Sequence, residues 1–291
     1  MKETVTVRVQ KVRRNNTGRR LIFFLILTAA LLLTALFSVQ LAPYDPYEQN
    51  LEEAMQPPSA QHIMGTDPYG RDMFSRVLAG GRTSIFATLL LVAVISVFGT
   101  WVGTLCGYYG GKVDSFVMRI SDVCLAFPGL VFAMAVAALL DGGIGNAVLA
   151  LAVVSWPKYS RVARSRTLAL KDSPFVCAAR LAGSSSVQII CRHILPNILG
   201  PILVTAMLDI GTMMMELAGL SFLGLGAVPP TAEWGSMMSS GRSMLQMYPW
   251  VVLSPGIGIF ISVVLFNLLG DTVRDYMDPK NSHFRQEKRK E

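Results

Sequence analysis

Charge is scarce in this chain. Asp, Glu, Lys and Arg make up 15% of its 291 residues, where a soluble domain carries about a quarter. With 52% hydrophobic residues beside that deficit, a water-soluble enzyme with an ordinary polar surface is excluded. Histidine is rarer still. His62, His193 and His283 lie in three separate segments, so they cannot form one metal centre and no metal ligand set is expected; no Ser/His/Asp set is recognisable either. The four cysteines (106, 124, 177 and 191) form no C-x-x-C pair, and no disulfide is expected of them. A phosphate-cradling loop is missing too. The one Gly-Lys dipeptide, Gly111-Lys112, is followed by valine and lacks the upstream glycine at the right distance, so the chain does not hydrolyse ATP by itself.

What the chain has instead is apolar length. Runs near the ~20 residues that cross a bilayer recur along it, at 21–42, 84–108, 117–140, 144–160, 198–222 and 250–270. The first follows seven basic residues and has no Ala-x-Ala cleavage site after it, so it reads as a retained anchor rather than a signal peptide. Six spans put both termini on one side, and the basic residues choose which. With the termini inside, 22 of the 26 Lys and Arg fall on the cytoplasmic side, leaving only Arg71, Arg76, Arg82 and Arg242 outside. That is the positive-inside pattern. The net charge of +7 then belongs beside the inner leaflet, with membrane lipid as its partner rather than nucleic acid. The segments are a basic tail (1–20), an anchor (21–42), an outer loop (43–82), a core (83–272) and a basic C-tail (273–291).

The longest inner loop, 161–196, is unusually structured for a connection. Ser173 and Pro174 suit a helix start. Phe175, Ala178, Ala179 and Ala182 recur at helical spacing, and Gly183 suits a C-cap. Ser185 and Gln188 match a capping box for a second helix, whose stripe is Val187, Ile190, Cys191 and Ile194. Such a helix–turn–helix is either a lid under its own bundle or a docking element for a cytoplasmic protein. In the fifth span, Thr205, Asp209, Thr212 and Glu216 share one helical face. Intramembrane carboxylates face a bundle interior or a wet cavity, so this stripe lines either a translocation pathway or a polar seam between helices. Met213, Met214 and Met215 point three ways around the same helix, as packing residues do. In the outer loop, "GTDPYGRDMFSRVL" reads as a turn and an amphipathic helix, with Asp72 and Arg76 paired at i,i+4. Asn267, Asp271, Arg274 and Asp275 read as capping and local ion pairs.

Cys177-Ala178-Ala179-x-x-x-Gly183, closing with Leu195-Pro196, resembles the "EAA" loop of permease subunits of bacterial ABC importers. Cys177 stands for the family's glutamate and His193 for its isoleucine. "APYDPYEQN", "HIMGTDPYGRDMFSRVLAGGRTS", "GYYGGKVDSFVMRISD", "LSFLGLG" and "NLLGDTVRDYMDP" resemble successive blocks of the peptide/nickel branch. "LDIGTMMMELAGLSFLGLGAVPPTAEWG" is similar to the second permease subunit of nickel importers. The resemblance implies an all-α, six-span type I importer permease in a bacterial cell membrane. It implies a coupling helix that meets an ATPase through Cys177, Ala178, Ala179, Gly183, His193, Leu195 and Pro196. It implies a second permease, two ATPases holding ATP and Mg²⁺, and an extracytoplasmic substrate-binding protein received near Asp67, Arg71 and Asp72, whose Gly-Arg-Asp core serves as scaffold. The cargo it favours is nickel or a nickel chelate, with di- or oligopeptides as the alternative. An ion-coupled transporter acting alone would show inverted repeats, and the sequence shows none.

Overall fold

The computed structural model describes the backbone of residues 2–277 and the side chains of residues 18–277. The basic C-tail beyond residue 277 and the side chains of the first 17 residues lie outside the described residues. Among the described residues everything regular is helical, apart from an isolated bridge between Thr66 and Asp72. The elements are α1 (Lys2–Leu36), α2 (Ser38–Leu41), α3 (Met73–Tyr109), α4 (Gly111–Ala126), α5 (Gly129–Ala138), α6 (Ile144–Leu170), α7 (Pro174–Leu181), α8 (Ser186–Ile189), α9 (Leu195–Phe222), α10 (Trp234–Gly241) and α11 (Trp250–Met277).

Among the described residues four helices are long and apolar enough to cross a membrane: Gly18–Leu36 of α1, α3, the continuous helix Ser186–Phe222, and α11. Helices α4 and α5 make a fifth if counted together, though a bend of 96° separates them. The bend has a local cause. A residue before proline is pushed out of the α region, and Phe127, before Pro128, is extended at φ −100°, ψ 151°. The run 144–160 forms the first part of α6, whose second half carries Lys158, Arg161, Arg164 and Arg166, so α6 is too polar to qualify. The six uniform spans read from the sequence are therefore four unbroken helices, one broken pair and one helix polar over half its length.

Three sequence-drawn boundaries also move. The outer amphipathic helix and the second span are one 37-residue helix, roughly 55 Å long at 1.5 Å per residue. Helix α6 does not stop near Pro157 but runs through it to Leu170. The second helix of the inner loop is not separate either, because it passes through a π turn at Ile190–Ile194 into α9. Pro196 has no N–H and its ring crowds the carbonyl one turn back. The wider turn before it, closed by Leu195 N–H donating to the Ile190 carbonyl, accommodates both defects and keeps the helix unbroken.

Packing rests on small residues. Gly99, Gly103 and Gly107 lie four apart on α3, and α6 presses its backbone against them. A Cβ at Gly103 would stand 2.1 Å from the Ser160 carbonyl oxygen, and one at Gly99 would stand 2.5 Å from that of Trp156. Close backbone approach of this kind is how helices associate where lipid removes the hydrophobic drive. The α9–α11 seam repeats the device. Asn267 sits on Gly211, where a Cβ would meet its Oδ1 at 2.4 Å, rather than serving as a helix cap. Trp234 of α10 wedges against Gly80, Gly81 and Gly258 and donates its indole N–H to the Val77 carbonyl at 2.9 Å. Beside it, fully buried Glu233 caps α10 and accepts the Ser84 hydroxyl at 3.1 Å. Helices α4 and α6 are pinned by Arg164, bidentate to Asp114 at 2.6 Å for both bonds, and by Arg161 to Asp122 at 2.6 Å. The four cysteines are free.

Candidate functional site: a capped inner loop, a polar stripe and an outer platform

The inner loop is a rigid projection. Helix α7 ends in a Schellman arrangement, with Ser184 N–H donating to the Ala179 carbonyl and Gly183 N–H to that of Arg180, both at 3.1 Å. This closure needs a left-handed residue, and Gly183 supplies it at φ +83°. Ser185 and Gln188 then form the complete capping box. Ser173 departs from expectation. Its hydroxyl donates to the Leu170 carbonyl at 2.6 Å and makes no cap bond to α7.

Fully buried Val176 anchors α7, while Ala179 packs on the core edge. The outward face is apolar: Leu181 is 90% exposed, Val187 66% and Phe175 43%, with Ala178 and Gly183 open beside them. The stripe expected on the second helix is shifted, since Ile189, Ile190 and Ile194 are buried whereas Val187 and Cys191 are exposed. Cys177 is half-buried with its thiol 3.7 Å from the Asp172 carbonyl oxygen. His193 and Leu195 are half-buried and Pro196 is exposed.

The stripe on α9 divides along its length. Asp209, 1% exposed, turns into the α6–α9 seam, where Lys158 Nζ reaches it at 2.5 Å and the Tyr159 hydroxyl at 3.0 Å. The Thr205 hydroxyl bonds back to the Pro201 carbonyl at 2.9 Å. Thr212 is exposed and Glu216 half-buried. Met213 and Met214 are buried and Met215 is exposed. No group of three or more His, Cys, Asp or Glu that could hold a metal ion occurs among the described residues.

The outer loop folds around two buried carboxylates. Asp67 accepts the backbone N–H of Tyr69 and of Arg71, pairs with the Arg71 guanidinium at 2.7 Å and lies 3.5 Å from that of Arg76. Asp72 caps α3 through Ser75 N–H at 2.8 Å and holds His62 Nδ1 at 2.9 Å. Arg76 therefore pairs with Asp67, not with Asp72 as its i,i+4 spacing suggests, because Asp72 is already engaged as a cap. Gly70 is required here: it has φ +70°, and a Cβ would land 1.6 Å from the Asn50 carbonyl oxygen. Asp67, Arg71 and Asp72 are all under 9% exposed. They build a platform, and the surface it presents is Tyr44, Leu51, Ile63 and Tyr69.

Sequence reasoning passed over several of these contacts. The Gly99-x-x-x-Gly103-x-x-x-Gly107 spacing was a readable signal for the α3–α6 seam. Lys158–Asp209, Arg164–Asp114 and His62–Asp72 join residues 10 to 51 positions apart and leave no local pattern.

A helical membrane bundle with a capped inner loop and no nucleotide-binding machinery of its own is the architecture of an importer permease. Residues 99–283 match the family described as the binding-protein-dependent transport system inner membrane component, and the chain belongs to that family. It is 42% identical over 256 residues to the dipeptide transport system permease protein DppC of Alkalihalophilus pseudofirmus, covering 88% of this chain and 84% of the relative. It is 43% identical to the probable D,D-dipeptide transport system permease protein DdpC of Escherichia coli K12, covering 96% of each. A glutathione transport system permease protein, GsiD of Escherichia coli, is 43% identical and covers 93% of this chain and 89% of its own. Among solved structures, an inward-facing MetNI methionine ABC transporter superposes with a TM-score of 0.57 at 19% identity, over 70% of this chain and 97% of the other, a likeness of fold. The chain is thus a multi-pass permease subunit of an ABC importer and not an enzyme. The relatives favour the peptide alternative; the nickel leaning drawn from "LDIGTMMMELAGLSFLGLGAVPPTAEWG" gains no support from them.

Proposed function

We propose that this chain is one half of the translocation path of an ATP-driven importer of di- or oligopeptides. It would pair with a second, related permease, receive cargo from an extracytoplasmic binding protein at the platform built by Asp67, Arg71 and Asp72, and rest on two ATPases that hold ATP and Mg²⁺. Both termini lie in the cytoplasm, as the distribution of Lys and Arg supports. The observation that carries the coupling role is the apolar crown on α7 and α8. Leu181 stands 90% exposed on a turn locked by a Schellman closure on one side and a capping box on the other. A side chain so exposed on so rigid a support suits a protein groove, and the small Ala178 and Gly183 beside it let a partner backbone approach. Thr212 and Glu216, the open part of the α9 stripe, line the pathway. Three peptide-permease relatives above 40% identity support the cargo class.

Uptake tests both parts. Cells expressing this permease with its neighbouring importer genes are offered a labelled dipeptide and radioactive nickel in parallel, each repeated with Leu181→Asp. Dipeptide accumulation that the substitution abolishes is the expected result. Accumulation of nickel in place of dipeptide overturns the cargo class. Accumulation that survives Leu181→Asp overturns the docking surface.

A further inference from the structure

A cleft of about 630 Å³ lies between the end of α1, the short α2 and the first turns of α3. Leu36 and Val39 line it from α1 and α2, Arg82, Thr83, Phe86 and Ala87 from α3, and Tyr47 and Ile144 add to the lining. Arg71 and Arg76, the preceding cations on this side, are taken up by Asp67. Arg82 is exposed and has no acidic partner among the described residues.

The depth of the cleft follows from two independent run ends. The apolar run of the first helix closes at residues 36–42, and that of α3 opens at residue 84. Both ends face the same cleft. Taken as the boundary between membrane core and headgroup layer, these run ends set Arg82 at that level and Phe86 and Ala87 one turn deeper. An unpaired guanidinium there matches a phosphate, which it can bind through two parallel N–H donors. The apolar walls below it match a hydrocarbon chain. A ligand with both parts at that spacing is a membrane lipid.

We propose that this cleft is a specific glycerophospholipid site, with the lipid phosphate on Arg82 and one acyl chain between Phe86, Ala87, Leu36 and Val39. The site rests on the membrane-spanning fold and is independent of which cargo the importer carries.

The test uses the assembled importer, purified in detergent and washed of bulk lipid. Phospholipid retained per complex is counted by native mass spectrometry for the wild type, Arg82→Ala, Arg82→Lys and Ala87→Phe. Loss of a charge-assisted pair predicts about tenfold weaker retention in Arg82→Ala, with only partial recovery in Arg82→Lys, which keeps the charge but lacks the planar fork. Ala87→Phe keeps the charge but fills the acyl groove, and it also loses the lipid. A photoreactive benzoylphenylalanine placed at Phe86, itself 38% exposed, should give a lipid adduct in native membranes. Equal retention in all variants overturns the site. So does an adduct to another protein chain, which would mean a subunit covers the cleft. Inorganic phosphate that binds the delipidated complex at Arg82, with no lipid retained at any wash, would reduce the site to an anion site and overturn it as well.

Discussion

Gly103→Ala is the sharpest single perturbation of this fold. A Cβ there would stand 2.1 Å from the Ser160 carbonyl oxygen and 2.8 Å from both the Ser160 Cα and its carbonyl carbon. All three atoms are backbone, so no rotamer can relieve the overlap, and α3 and α6 must move apart along their main seam. Overpacking a tight core costs typically about 1–3 kcal/mol. The upper end applies here, because separating the helices also loosens the Gly99 and Gly107 contacts, where a Cβ would come within 2.5 Å and 2.9 Å of α6 carbonyls. Gly145→Ala is the internal control. It is the second residue of α6, with nothing within 4 Å of a built Cβ, and glycine to alanine in a helix is worth roughly 0.5–1 kcal/mol in favour of alanine. Purified complex carrying each variant is melted in the same detergent, and membrane levels are compared by immunoblot. Gly103→Ala should melt lower and accumulate less, while Gly145→Ala should match or exceed the wild type. A second substitution separates seam from side chain: Ser160→Gly removes the hydroxymethyl group but leaves the carbonyl, so it should not rescue Gly103→Ala. Rescue by Ser160→Gly, or a Gly103→Ala protein as stable as the wild type, would refute the backbone-contact account.

Lys158→Met should destabilise more than Asp209→Asn in thermal melts. It removes the countercharge of a 1%-exposed carboxylate and leaves it the Tyr159 hydroxyl, at about 2–4 kcal/mol, below the ~3–5 of a fully buried pair because the Lys158 side chain is 50% exposed; equal losses would contradict the buried-seam placement. Arg164→Ala breaks the bidentate pair with Asp114 and should make the α4–α6 junction more open to protease, whereas Arg164→Lys, which has no planar fork, restores only part of the protection. Gly70→Ala should prevent assembly of the outer platform, read as loss of binding-protein-dependent uptake, because a Cβ overlaps the Asn50 carbonyl at 1.6 Å.

The helices were legible in the sequence wherever one residue type repeats with a single meaning. The apolar runs located α1, α3, α9 and α11, and Gly183, Ser185 and Gln188 announced the inner loop because caps are local chemistry. Boundaries were lost where the apolar runs, 144–160 and 198–222, ended short of the helices. Pro157 and Pro196 both sit within continuous helices, one in the body of α6 and the other just after a π turn, because neighbouring helices hold the chain in place where a lone helix would end. The fate of Asp209 was not legible either. The same spacing that groups it with Thr212 and Glu216 says nothing about Lys158, 51 residues away, and that lysine holds Asp209 in a seam while Thr212 is exposed and Glu216 half-buried. The outer Asp67, Arg71 and Asp72 were conspicuous in sequence as charges, yet each is consumed by its neighbours.

The continuity of α8, the π turn and α9 gives the proposed coupling a mechanical form. From Ser186 to Glu216 one helix runs unbroken, roughly 45 Å at 1.5 Å per residue, so a push on the capped loop reaches Thr212 and Glu216 without leaving the helix. Besides Pro201 inside α9, a soft place is the π turn at Ile190–Ile194, where the helix is locally wider, as is common at functional positions. Its cause is Pro196, whose missing N–H and bulky ring disfavour regular α geometry there. Pro196→Ala should let the turn tighten to α geometry, and relief from an interior proline predicts equal or greater thermal stability of the complex. Tightening also removes the extra residue from the turn, which rotates α7 and its exposed Leu181 relative to α9. Uptake should therefore fall while stability does not. A Pro196→Ala importer that melts higher and transports at the wild-type rate would show that the π turn only accommodates the proline and has no part in transmitting the stroke.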